Sequence, residues 1–210
     1  MNIKESLAWR YATKKFDPKK TLSEEKINTL IETFNLTATS YGLQPLKLIV
    51  VNNKEIQKEL TKHSWNQSQV SDASHVFVIC IETVIDEAYI NTYFENVKAI
   101  RHTEDNILKP FRDHLIQSFS EKSQEEIAVW ATKQAYIALG NLLTVCAIEQ
   151  VDSCPMEGFM PEKYDELLSL KDQQLSSVLV LPVGYRAKDD MFSEMKKVRR
   201  SVEETIIKVQ

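Results

Sequence analysis

Glycine is scarce in this chain, with four among 210 residues. No G-x-G-x-x-G turn and no G-x-x-x-x-G-K-[ST] loop occurs, which excludes the backbone cradles of Rossmann and P-loop nucleotide sites. Cysteine is scarcer still. Cys80, Cys146 and Cys154 are odd in number, and no two share a short metal-type spacing. Cys80 and Cys146 lie in apolar runs, so they read as buried thiols in a reducing compartment. The histidines His63, His75, His102 and His114 form no H-E-x-x-H pair, and no G-x-S-x-G elbow is present. A metal site or a hydrolytic triad therefore has no residues to stand on, and His75 reads as a hydrogen-bonded structural histidine. The longest apolar run, 135–148, is short and interrupted by Gly140, Asn141 and Thr144, too little for a membrane span. The N-terminus shows no signal-peptide core, which points to the cytoplasm. A net charge of −4 excludes a general nucleic-acid binder.

The basic residues that are present gather at 10–20 and 196–200, a distribution that suits a local anionic ligand. The segment Arg10-Tyr11-Ala12-Thr13-Lys14-Lys15-Phe16 follows a short helix expected at 3–9. Taken alone it reads as a basic loop. If extended, it places Arg10, Ala12, Lys14 and Phe16 on one face, with the two cations about 13 Å apart. One cation then holds a phosphate while the other meets an electron-rich group farther along the same ligand.

The composition, 43% hydrophobic and 27% charged, is that of a soluble globular protein. Apolar runs predict strands at 46–51, 75–81 and 176–185, the second apolar on both faces and so central in a covered sheet. Thr21-Leu22-Ser23-Glu24-Glu25 is a helix start, with Ile27, Leu30, Ile31 and Phe34 forming its apolar stripe up to about Thr37. Helical patterns also cover 54–65, 161–170 and an aromatic-containing excursion at 86–121. Ser123-Gln124-Glu125-Glu126 is a capping box opening a long helix to about Gln150. That helix is apolar nearly all round in its second half, so burial is expected, and Ala131, Ala135, Ala138 and Gly140 suit close approach of a neighbouring helix. No repeat or linker divides residues 1–210, and the pattern is that of one α+β layered domain.

Six short motifs, in order along the chain, resemble those of the FMN-dependent nitroreductase family. Arg10–Phe16 is similar to its R-x-S-x-[KR]-x-[FY] opening, and Thr39-Ser40-Tyr41-Gly42-Leu43-Gln44-Pro45 to its S-S-x-x-x-Q-P turn. Trp65-Asn66-Gln67-Ser68-Gln69 with Asp72-Ala73-Ser74-His75 resembles its N-x-x-[KQ]…D-A-S-H segment. Trp130, Lys133-Gln134-Ala135-Tyr136 and Gly140-Asn141 resemble its central helix. Pro155-Met156-Glu157-Gly158-Phe159 matches a P-x-E-G-F loop, and Lys197-Val198-Arg199 a K-x-R tail. The likeness is greatest to the oxygen-insensitive NAD(P)H nitroreductase and dihydropteridine reductase branch.

The resemblance implies a central mixed sheet flanked by helices, a long buried helix and a C-terminal extension that wraps a partner subunit. It implies a homodimer with FMN at the interface and NADH or NADPH as donor. Arg10, Lys197 and Arg199 are then expected at the 5′-phosphate, Tyr11 and Ala12 beside it through backbone, and Lys14 at the N1/O2 edge of the isoalloxazine. Asn66 and Gln69 face the pyrimidine edge; glutamine in place of the usual lysine predicts a lower flavin potential. Thr39 and Ser40 come from the partner chain. Pro155, Met156, Glu157 and Gly158 present a backbone N–H to flavin N5, with Gly158 keeping that face open, Glu157 acting through backbone and Cys154 packing beside them. Thr39 keeps the hydroxyl of the family's serine, and Ala12 loses it. The implied reaction is ping-pong hydride transfer from NAD(P)H through flavin N5 to nitroaromatic, quinone or pteridine acceptors, with no protein acid or base and no metal. The 86–121 excursion forms the pocket wall. Alternatives on the same scaffold are a flavin reductase serving a partner enzyme, or a non-catalytic flavin-binding dimer.

Overall fold

The computed structural model describes residues 2–209. Asn2 caps α1 (Ile3–Trp9) with a reciprocal bond to Glu5, and Ser23 caps α2 (Glu24–Asn35). Strand β1 (Leu46–Val51) follows, then α3 (Lys54–Lys62), the single turn α4 (Gln69–Asp72) and β2 (His75–Glu82). The excursion is two helices, α5 (Glu87–Arg101) and α6 (Asp105–Ser120), divided where His102 turns left-handed at φ 54°. The capping box at Ser123 opens α7 (Gln124–Ile148). It stops short of Gln150 because that residue is left-handed (φ 54°), which lets the Val151 N–H reach back to the Cys146 carbonyl at 2.7 Å. The remainder is β3 (Asp152–Ser153), α8 (Pro161–Leu167), β4 (Leu175–Gly184) and α9 (Val202–Thr205).

The strands form one sheet in the order β1-β2-β4-β3, and all three pairings are antiparallel. Among the described residues the parallel element is a single bridge, Ala12 with Ser153. Strand β2 is central and buried along nearly its whole length, as its two-faced apolar run requires. Alternate residues feed two cores. Phe77, Ile79 and Ile81 meet Leu179 and Leu181 of β4, Leu30 of α2, and Ala131, Ala135 and Leu142 of α7. Val76, Val78 and Cys80 meet Leu60 of α3, Val70 of α4 and Tyr164 of α8 on the other face.

The small residues of α7 divide differently from the expectation of one helix–helix seam. Ala131, Ala135 and Ala138 are fully buried within their own chain, and the small methyls of Ala131 and Ala135 let α7 pack closely on both the sheet and α2. Gly140 has open space where a Cβ would stand, and Tyr136 and Ile137 lie exposed near it. A third apolar cluster, including Ile90, Phe94, Leu115 and Phe119, joins the excursion to Leu43 and the start of α7.

Candidate functional site

Residues 10–16 are pinned at both ends and do not run as one extended face. Ala12 bridges Ser153, and the Thr13 N–H donates to the Ser153 carbonyl at 3.2 Å. Phe16 bridges Arg186, and the Asp17 N–H donates to the Tyr185 carbonyl at 2.8 Å. Between these bridges the chain bends at Lys14. Thr13 and Phe16 turn into the core while Lys14 and Lys15 turn out. The bend arises because burying Phe16 beside β4 takes precedence over strand alternation.

Asp190 fixes the bend. It is 4% exposed. Its Oδ2 accepts from the Tyr11 hydroxyl at 2.8 Å, the Lys14 N–H at 2.9 Å and the Lys15 N–H at 3.1 Å. Its Oδ1 accepts from the Phe192 N–H at 3.1 Å. Burial pushes this carboxyl up, and the four hydrogen bonds outweigh it, holding it below the usual carboxylate range. The Tyr11 phenol is raised by burial and by its bond to Asp190. A second lock lies one step away. Arg186 pairs with Asp152 at 2.6 Å, and its guanidinium carbon stands 4.3 Å from the Trp9 ring centre and 4.6 Å from that of Tyr11.

Beside this anchored segment lies a groove of about 300 Å³ lined by Arg10, Tyr11, Ala12, Lys14, Phe192, Met195, Lys196, Lys197 and Arg199. Six of these residues are the expected cofactor ligands from the two ends of the chain. No carboxylate lines the groove. Lys197 donates to the Ala8 carbonyl at 2.6 Å, and Arg199 to its neighbour's carbonyl at 2.7 Å. The Nε of Arg10 is buried with no hydrogen-bond partner. Burial first, and Arg199 next, depress the Arg10 guanidinium; burial, Arg10, Arg199 and Arg186 depress the Lys197 ammonium. Cations crowded together with a donor left over suit a small anion, and arginine's fork suits a phosphate.

The 153–158 loop adjoins through the Ala12–Ser153 bridge, and Ala12, Phe16, Val70, Cys154 and Met156 share one apolar cluster. Met156 and Val180 exchange backbone bonds of 2.8 and 3.0 Å, which holds the loop as a continuation of the sheet edge. Gln67 donates from Nε2 to the Gly158 carbonyl at 3.0 Å. The expectation that Gly158 leaves an open face is corrected here. A Cβ at Gly158 would stand 2.6 Å from Trp65 Cζ3 and 3.2 Å from Gln67 Nε2, so its missing side chain makes room for those two residues. Trp65 and Asn66 are consecutive left-handed residues (φ 52° and 56°), both exposed, and Gln69 is buried in the first turn of α4. Glu157 accepts from the Tyr136 hydroxyl at 2.5 Å, so its side chain ties the loop to α7. Cys154 is buried, and burial pushes its thiol up, in keeping with packing.

Thr39 and Ser40 do not join the cation groove of their own chain. Thr39 lines a separate cavity of about 320 Å³ and accepts from the Gln44 N–H at 3.0 Å. The Ser40 N–H donates to the buried amide of Gln134 at 2.8 Å. The excursion packs over this turn: Tyr89 donates to the Leu43 carbonyl at 2.8 Å. Gly42 suits its left-handed position (φ 75°), and a Cβ there would stand 2.6 Å from the Tyr93 hydroxyl, so Tyr93 would have to shift.

Sequence reasoning missed Asp190, Arg186 and Asp152. An acid in the polar stretch Arg186-Ala187-Lys188-Asp189-Asp190 carries no local sign of burial. His75, by contrast, is the expected structural residue, with Nδ1 2.9 Å from Ser74 Oγ. No group of three or more potential metal ligands occurs among the described residues, and no described helix is long and apolar enough to cross a membrane.

Comparison with known proteins bears on the family and the fold. The model of the Nitroreductase family matches residues 7–185. A Staphylococcus epidermidis protein described as a putative NAD(P)H nitroreductase is 34% identical, the match covering 93% of this chain and 92% of that protein. The crystal structure of a putative nitroreductase from Bacillus subtilis superposes with a TM-score of 0.87 at 17% identity, covering 98% of each chain. A putative nitroreductase from Exiguobacterium sibiricum, solved in complex with FMN, superposes with a TM-score of 0.82 at 15% identity, covering 100% of this chain and 98% of that one. At such identities the two structures speak for the fold, while the family match and the curated relative span the sequence itself. On the motifs, the fold and these matches together, the chain belongs to the nitroreductase family.

Proposed function

We propose that this protein is an FMN-dependent NAD(P)H oxidoreductase whose groove between residues 10–14 and 195–199 holds the cofactor's 5′-phosphate. The observation that carries the reading is the convergence of Arg10, Lys14, Lys197 and Arg199 on a groove free of carboxylates, with the Arg10 Nε unpartnered. Arg10, Lys197 and Arg199 bind the phosphate dianion and relieve their mutual repulsion in doing so. Lys14, exposed at the bend, is free to place its ammonium beside developing negative charge. Asn66 and Gln69 orient the pyrimidine edge, and the backbone of Pro155–Gly158 lines the reactive face beside Trp65. When bound, FMN supplies two-electron redox chemistry, accepting hydride from NAD(P)H and passing it to nitroaromatic, quinone or pteridine acceptors. No side chain of the chain is needed as acid or base.

The protein is further proposed to be a single domain acting as a homodimer in the cytoplasm. Thr39 and Ser40 lie off the groove of their own chain, which suits service in the partner's site. The exposed tail 195–209 suits an arm that wraps the partner, and the 86–121 excursion suits a wall over the site. Two experiments test this reading. The purified protein should show oxidised-flavin absorption that bleaches under anaerobic NADH. The double variant Arg10→Ala, Lys197→Ala should be colourless. A wild-type protein that is colourless and takes up no added FMN refutes the proposal, as does a double variant that stays yellow.

A further inference from the structure

We propose that Asp190 is a positioning residue that locks the two arms of the cation groove into register for the ligand's phosphate. The inference rests on the cofactor reading above and deepens it. Four donors converge on this one carboxylate, three from the arm Tyr11–Lys15 and one from the Phe192 N–H at the root of the tail. The phosphate-binding cations lie on either side of this knot: Arg10 immediately before Tyr11, and Lys197 and Arg199 within a few residues of Phe192. Lys197 donates to the Ala8 carbonyl of α1, just ahead of the first arm. Backbone bonds also tie the first arm to the chain just past the end of β4, Phe16 to Arg186 and the Ala187 N–H to the Lys15 carbonyl at 2.8 Å. Asp190 adds the side-chain tie that reaches the first arm and the root of the tail at once.

Chemistry also favours a carboxylate over any neutral side chain. Both oxygens accept and neither donates, so three donors fit at Oδ2 and a fourth at Oδ1. An asparagine has one acceptor oxygen. Its NH₂ would face either the Phe192 N–H or the three donors of the first arm, donor against donor. Two residues that line the groove, Tyr11 and Lys14, bond directly to this buried carboxylate. Tyr11 belongs to the same device: its hydroxyl is committed to Asp190 and its ring to Arg186.

The test compares FMN with riboflavin, which has the same ring system and no phosphate. Dissociation constants for both are measured by flavin fluorescence on deflavinated full-length protein, wild type against Asp190→Asn. The expected result is at least about tenfold weaker FMN binding with riboflavin changed less than about threefold, so that discrimination between the two ligands collapses. An unchanged FMN constant overturns the proposal. Equal losses for both ligands also overturn it, because they report general damage. Tyr11→Phe removes one donor with little risk to folding, and a smaller loss selective for FMN is expected; no selective loss from this variant counts against the proposal even if Asp190→Asn fails to fold. A wild-type protein that binds neither flavin is a separate outcome, one that overturns the cofactor reading and this inference with it, whereas tight FMN binding by both wild type and Asp190→Asn overturns this inference alone.

Discussion

The segment 10–16 and the segment 195–209 both bring cations to one groove, and the two are held in opposite ways. The first has two bridges to the sheet edge, the Asp190 knot, and Phe16 buried to 1% exposure. The second is exposed throughout, with Val198 at 88%, Ile207 at 91% and Val209 at 94%. Exposed aliphatics along one short tail mark a surface suited to a cover. The contrast teaches that the first arm is anchored by its own chain while the tail is not, which is what the proposed ordering of the tail by ligand and partner requires. It also separates two kinds of damage. Lesions at the buried anchors of the first arm should register as lost stability, lesions at its groove-facing residues as lost cofactor, and lesions in the tail as lost association or cofactor.

The largest expected effect is from Phe16→Ala, which should cost about 3–5 kcal/mol of unfolding free energy in urea. A cost under about 1 kcal/mol would break the claim that this arm is anchored by its own core. Next is Ile206→Asp with Ile207→Asp. If the tail is covered by a partner, removing two buried aliphatics should weaken dimerisation by about tenfold or more in sedimentation. An unaltered dimer would mean that the tail's cover lies elsewhere. Gln69→Lys should raise the flavin midpoint potential, because a cation at the pyrimidine edge favours the reduced anion; an unchanged potential would remove Gln69 from the site.

Smaller again is the pH effect. The Asp190 carboxyl is held below its ordinary range in the folded protein. Its contribution is therefore present above the unfolded value of about 3.9 and is lost as pH falls through the lower folded value. Urea midpoints of wild type and Asp190→Asn should differ most above pH 5 and converge in stronger acid. A constant gap across that range would remove the carboxylate's charge from the account. The smallest effect is expected from Lys15→Ala. The Lys15–Asp189 pair is more than half exposed on both sides, and its loss should leave the urea midpoint unchanged within error.

Much of the molecule was legible in the chain itself. The strands at 46–51, 75–82 and 175–184 announce themselves as apolar runs, and α2 and α7 through Ser23 and the Ser123–Glu126 box, because these signals depend on neighbours within a few residues. Arg10, Lys14, Lys197 and Arg199 were legible as residue types in a recognisable order. The meeting of Arg10, Lys197 and Arg199 was implied by the family resemblance and not by any local pattern, and the bend that separates Lys14 from Phe16 was not legible at all. The bond between Tyr11 and Asp190 spans 179 positions, and nothing near either residue encodes the other. Gly158 makes the same point on a smaller scale. The sequence marks it as a place without a side chain, and only the packed molecule decides that Trp65 takes the room. Local sequence determines which segments are strand, helix or cation-bearing turn, since propensity, capping and hydrophobic period act over short range. Which buried acid receives which backbone donor is decided by tertiary structure, because the cost of leaving those groups unpaired is felt only when distant parts of the chain close over them.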